Sequence, residues 1–123
     1  ENNRNNINFQ IIPSIPRRDF LSLIKYTSAI VGNSSCGIIE ATHFGVPVVN
    51  IGIRQDGRER ANNVIDVPHN RQAITHAIKK ALDIGIQPSI NNPYGKGNTG
   101  KKIASILSKI QIRQDLIQKT ITY

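Results

Sequence analysis

Ala29-Ile30-Val31-Gly32-Asn33-Ser34-Ser35-Cys36-Gly37-Ile38-Ile39-Glu40 is the stretch on which the fold turns. Ala29 to Val31 is a short, unbroken apolar run, the pattern of a strand buried on both faces in a parallel sheet. Gly32-Asn33-Ser34-Ser35 is turn and N-cap chemistry, with Asn33 or Ser35 as the expected cap. Ile38, Ile39, Ala41, Thr42 and Phe44 then recur at helical spacing until Gly45 and Pro47 stop the run. A strand passed straight into a helix through a polar turn belongs to a βαβ unit.

The same alternation continues on both sides. Asn8 to Ile12 predicts a short strand ended by Pro13 and Pro16, and Arg17 to Tyr26 a helix with Phe20, Leu21, Leu23 and Ile24 at helical spacing. Val46 to Ile51 and Val64 to Val67 read as further strands. Asn70 or Arg71 opens a helix whose inward stripe is Ile74, Ala77, Ile78, Ala81 and Leu82. Ile84 to Pro93 is irregular. A last helix starts near Asn98 and turns Ile103, Ile106, Leu107 and Ile110 inward. The fold class that follows is α/β, a Rossmann-like parallel sheet flanked by helices. Ligands of such sheets lie beyond the carboxyl ends of the strands, which singles out the loops Gly32 to Gly37 and Gly52 to Arg60.

At 123 residues the chain has the size of one domain. A 38% hydrophobic and 20% charged composition suits a packed core rather than disorder. No apolar run reaches the ~18 residues of a membrane span, so a membrane partner is not expected. The lone Cys36 cannot close an internal disulfide, and a cytoplasmic location is the expectation. Methionine is absent and the chain opens on the Asn-rich Glu1 to Asn6, which reads as a linker within a longer protein. The net charge of +8, from 16 Lys and Arg against 8 Asp and Glu, suits a polyanionic or phosphorylated partner. Lys79 and Lys80 look like solvated charges closing a helix. No aromatic-rich basic strand accompanies the charge, so nucleic acid is not the expected partner. His43, His69 and His76 lack metal-ligand spacing, and neither a metal nor another cofactor is expected.

The two loops carry the chemistry. A helix N-terminus at a strand end offers unpaired N–H groups and positive potential to an anion. Asn33, Ser34 and Ser35 add polar side chains there, and Gly37 removes a Cβ that would hold a diphosphate away from the backbone. Glu40 lies five residues after Ser35, beyond the reach of a capping box. On the helix face shared with Cys36 and Gly37, its carboxylate could accept two hydrogen bonds from adjacent ribose hydroxyls. Arg54, Arg58 and Arg60 surround Gly57 in the second loop and suit phosphate recognition by forked donors. Asp56 and Glu59 are close enough in sequence to occupy at least one of them. Cys36 is expected to be inert.

With both loops in view, the sequence resembles the hydrolysing UDP-N-acetylglucosamine 2-epimerases of sialic-acid and related nonulosonate pathways. The likeness rests on Val31 to Glu40, Phe44-Gly45-Val46-Pro47, Asn50 to Arg58, Asn63 to Val67, and Asn92-Pro93-Tyr94-Gly95 with Gly97-Asn98. It implies a two-domain GT-B architecture of which residues 1–123 are the C-terminal, UDP-binding half, with 1–6 as boundary and 111–123 as a tail. By that resemblance Ser34 and Ser35 contact the diphosphate, Glu40 binds the ribose, Arg54 is the arginine of the Arg-Gln loop, and Phe20 falls near the uracil. Ala41 after Glu40 and the intact Arg54 to Arg58 loop favour the hydrolysing branch. Cys36 and Lys96 depart from the more frequent residues.

The family reaction expels UDP from the sugar and forms a glycal that water converts to N-acetylmannosamine. The partners so implied are a UDP-sugar, an N-terminal domain of the same protein and further copies in a homo-oligomer. The catalytic carboxylates of the family lie mostly in that N-terminal domain, so no catalytic residue is assigned within residues 1–123 and these residues alone are not expected to turn over substrate. The alternative is the nucleotide-binding domain of a GT-B glycosyltransferase, which also places a helix glutamate on the ribose. A basic nucleic-acid-binding domain is the more distant alternative.

Overall fold

The computed structural model describes residues 8–88 and 90–112. Residues 1–6, expected as a boundary, and residues 113–123 of the expected tail 111–123 lie outside the described residues. The chain divides into two units, Glu1–Pro93 and Tyr94–Tyr123.

In the first unit the elements run α1 (Arg17–Tyr26), β1 (Ile30–Gly32), α2 (Ser35–Ile38), α3 (Glu40–Phe44), β2 (Val48–Ile51), β3 (Val64–Val67) and α4 (Arg71–Ile84). The strands form one parallel sheet in the order β1-β2-β3. Its register pairs Ile30 with Val48 and Val48 with Val64. The next row sets Val31 beside Val49 and Val49 beside Ile65. Because side chains alternate across a strand, these two rows face opposite ways.

Each row feeds a separate core. Val48 packs with Ile24 of α1, Ala41 of α3 and Val46, and Phe20, Ile30, Phe44 and Val64 close around them. Val49 packs with Ala77 and Ala81 of α4, joined by Ile51, Ile65, Val67 and Ile78. Burying Val48 and Val49 stabilises the sheet by about 1.5–3 kcal/mol each. The i,i+4 alanines keep the seam of α4 narrow, so the helix lies close to the sheet. Asn70 caps α4, its Oδ1 accepting from the Ala73 amide at 2.9 Å.

A buried polar bracket ties α2 and α3 to the segments that enter β2 and β3. Asn63 donates from Nδ2 to the Val46 carbonyl at 2.7 Å, and its own carbonyl accepts from Val48 N at 2.8 Å. The Thr42 hydroxyl lies 2.7 Å from the Ile38 carbonyl and 3.1 Å from Asn63 Oδ1. Gly45 ends α3 at φ +70°, where a Cβ would stand 1.9 Å from the Gln87 carbonyl oxygen. That close approach requires glycine.

Several sequence expectations are corrected. Asn8 to Ile12 forms no strand, and Phe9, Ile11 and Ile12 are exposed. A strand exists by pairing, and β-propensity without a neighbouring strand leaves irregular chain. The helix expected after Ser35 is broken at Ile39 into α2 and α3. Leu23 and Leu82 are exposed at the rims of the helices that carry them. Lys79 and Lys80 lie inside α4, which continues to Ile84, and so do not close it.

The second unit contains α5 (Thr99–Leu107), which begins after Asn98 as expected but stops short of Ile110. Ile103, Ile106, Leu107 and Ile110, expected inward, are exposed. Helical periodicity identifies an apolar face but does not supply the surface that covers it.

Candidate functional site

β1 and β2 end side by side, with Gly32 opposite Asn50, and release the two loops singled out by sequence at one edge of the sheet. The first is a tight turn into α2. Its cap is Ser34 rather than Asn33 or Ser35: the Ser34 Oγ accepts from the Cys36 amide at 3.4 Å. A bond that long is weak. Ser34 also offers its carbonyl to the Gly37 amide at 3.2 Å. Ser34 itself stays exposed and Ser35 is half-buried, so both hydroxyls stand at the rim of the turn.

Gly37 is buried, and its missing Cβ faces the sheet. A Cβ there would meet Val48 Cγ1 at 2.8 Å and Ile30 Cγ2 at 3.8 Å, both in the sheet. The missing side chain therefore lets α2 close on β1 and β2.

The second loop returns to the first through Asn33. Gln55 Nε2 donates to the Asn33 carbonyl at 2.8 Å, and Arg54 Nη1 reaches Asn33 Oδ1 at 3.5 Å. Two loops separated by 22 residues in sequence thus share one asparagine. The three arginines have different duties. Arg60 is half-buried and consumed by structure, donating from Nη1 to the Arg58 carbonyl at 2.7 Å and from Nη2 to the Gln55 carbonyl at 3.0 Å. Its Nε faces Asp66 Oδ2 at 2.8 Å, and Asp56 approaches Nη2 at 3.5 Å. Arg54 is exposed, and among the described residues its side chain is bound by its long contact to Asn33, which leaves further donors of its fork to an anion.

Glu40, the first residue of α3, is held by Arg17 of α1 at 3.5 Å. The Arg17 side chain is 74% exposed, so this pair is worth little, within about 0–1 kcal/mol. A ligand hydroxyl competes only with a solvated partner there. Phe20, one turn after Arg17, lines an open pocket of about 370 Å³ with Ile24, Tyr26, Ile30 and Cys36. The pocket brings an apolar, planar-ring-sized space next to the serine turn. The serine turn and the exposed Arg54 meet at the strand ends, while Glu40 faces α1 through Arg17 and the apolar recess lies between α1, the start of β1 and Cys36. Among the described residues no group of three His, Cys, Asp or Glu side chains converges as a metal site.

Arg17, Asn50, Gln55 and Asp66 lie in elements and motifs that the sequence reading singled out, but it gave none of them a role in the site. Asn50, nearly fully buried, donates from Nδ2 to Asp66 Oδ1 at 2.6 Å and so orients the carboxylate that holds Arg60. A polar residue inside an apolar strand run, as in Val49-Asn50-Ile51, was the available signal. Gln55 is 4% exposed, and its Oε1 is buried without a hydrogen-bond partner among the described residues. Such an orphan acceptor costs about 1–3 kcal/mol.

The domain is thus a parallel α/β sheet whose strand-end loops bring serine and arginine side chains together at the place where such sheets hold ligands. The chain belongs to the UDP-N-acetylglucosamine 2-epimerase family, which it matches over residues 1–108. It is 37% identical over 116 residues to the hydrolysing UDP-N,N'-diacetylbacillosamine 2-epimerase of Legionella pneumophila, covering 93% of this chain and 30% of that protein. It is 38% identical over 113 residues to polysialic acid biosynthesis protein P7 of Escherichia coli, covering 89% of this chain and 27% of that protein. A UDP-N-acetylglucosamine 2-epimerase of Neisseria meningitidis is 39% identical over 77 residues, 63% of this chain and 20% of that protein. The chain therefore spans less than a third of the length of these relatives.

Proposed function

We propose that this chain is the UDP-holding part of a hydrolysing UDP-N-acetylglucosamine 2-epimerase, which releases UDP and N-acetylmannosamine. The observation that supports it most is the meeting of the Ser34-Ser35 turn and the Arg54 loop at Asn33. In this reading Ser34, Ser35, Asn33 and Arg54 receive the diphosphate, Glu40 leaves Arg17 for the ribose hydroxyls, and the uracil enters the pocket beside Phe20. Gly37 serves by closing the helix onto the sheet.

The contribution to the reaction is leaving-group stabilisation. As the bond between the anomeric carbon and the β-phosphate oxygen breaks, negative charge grows on that phosphate, where preoriented hydroxyl and guanidinium donors oppose it. The glycal formed on loss of UDP then takes up water. The acid and base act from a second domain, completing a GT-B cleft, in a cytoplasmic homo-oligomeric enzyme. Glu40 is committed to ribose and serves as neither.

Titration calorimetry of the chain with UDP, UMP and uridine tests the reading. UDP is expected to bind more tightly than UMP, and equal affinity for the two removes the diphosphate assignment.

A further inference from the structure

Gln55 is 4% exposed although its neighbours Arg54 and Asp56 face solvent. Its burial is not explained by apolar packing, because a glutamine places two polar atoms in the space it fills. One of them, Nε2, reaches out of the loop to the Asn33 carbonyl at 2.8 Å. The other, Oε1, is buried and unpartnered among the described residues. The backbone of Gln55 is itself clamped, its carbonyl accepting from Arg60 Nη2 at 3.0 Å and from Arg58 N at 3.3 Å. Arg60 is anchored in turn on Asp66 of β3. A continuous path of bonds thus runs from β3 through Arg60 and Gln55 to the turn that precedes α2.

We infer that Gln55 is the positioning residue of this site, holding the arginine loop against the serine turn so that Arg54 and Ser34-Ser35 act on the same diphosphate. The inference rests on the UDP-holding reading of the site and adds to it a residue that touches no ligand. The orphaned acceptor supports it. A side chain retained for stability alone would pair both of its polar ends or be replaced by an apolar one of the same shape. Gln55 instead leaves a buried oxygen unpaired while its amide joins the two loops.

The test is Gln55→Met, which keeps the length of the side chain, removes the orphan and deletes the donor to Asn33. Asn33 is exposed, so water can take up its carbonyl. Thermal unfolding of the variant is expected at or above the wild-type temperature. UDP affinity is expected to fall about tenfold, equivalent to ~1.4 kcal/mol, while uridine affinity stays within about twofold. Amide hydrogen exchange across residues 52–58 is expected to quicken in the variant without any ligand. Gln55→Leu, which removes the same donor without adding a charge, should show the same split if the methionine variant does not fold. Unchanged UDP affinity with unchanged exchange overturns the inference, and so does an equal loss for UDP and uridine accompanied by a lower unfolding temperature. If the wild-type chain itself binds UDP no better than uridine, the underlying site reading fails, and the exchange measurement still decides whether Gln55 couples the loops.

Discussion

Arg60 Nε lies 2.8 Å from Asp66 Oδ2, joining the loop after β2 to the end of β3. The same guanidinium also serves the carbonyls of Gln55 and Arg58, so its donors are spent on structure. Arg54, on the same loop, is exposed and among the described residues retains open donors. Arg60→Ala is therefore expected to lower stability by about 1.5–3 kcal/mol, the value of hydrogen bonds to charged groups. Arg54→Ala should leave stability within about 0.5 kcal/mol and weaken UDP binding roughly tenfold or more. Urea unfolding and calorimetry on the two variants read the contrast; equal stability losses would remove the division of labour.

Glu40 is expected to exchange Arg17 for ribose. Glu40→Gln keeps the shape but loses one charged acceptor, at a cost of about 1.5–3 kcal/mol in UDP binding. In the whole enzyme the loss should appear in KM or kcat/KM. Arg17→Ala should leave stability nearly unchanged, because the pair is exposed. A Glu40→Gln effect confined to kcat, with UDP affinity intact, would assign Glu40 to the chemistry.

Gly37→Ala tests the packing role. Its new methyl would meet Val48 Cγ1 at 2.8 Å, and overpacking of this kind costs about 1–3 kcal/mol. Val48→Ala in the same chain removes the obstructing atoms, so the double variant should be more stable than the sum of the single losses predicts. Strict additivity in urea unfolding would show that the contact is not responsible.

The 123-residue chain is expected to bind UDP without turning over UDP-N-acetylglucosamine. Of the carboxylates near the loops, Glu40 faces Arg17 and is the one proposed for the ribose, and Asp56 faces Arg60. A cleft with one wall neither excludes water nor places acid and base on the sugar. Release of UDP and N-acetylmannosamine at a rate near that of a whole family enzyme would overturn this.

The sequence by itself determined the α/β class, the positions of β1, β2, β3 and α4, and the two loops. Those features are local: apolar runs of strand length, a helical stripe at Ala77 and Ala81, and glycine–serine or glycine–arginine punctuation all act within a few residues. It also determined family membership, because motif order survives along the chain. Only the tertiary structure decided which arginine is spent on structure, since Asp66 of β3 claims Arg60 and no spacing rule foretells that. It alone showed Gly37 facing Val48 and Gln55 bridging to Asn33, contacts between segments that the sheet register brings together. The failed strand at Asn8 to Ile12 has the same cause. Propensity is a property of a segment, whereas strand pairing, burial and the sharing of a buried donor belong to pairs of segments, and pairs are set by packing.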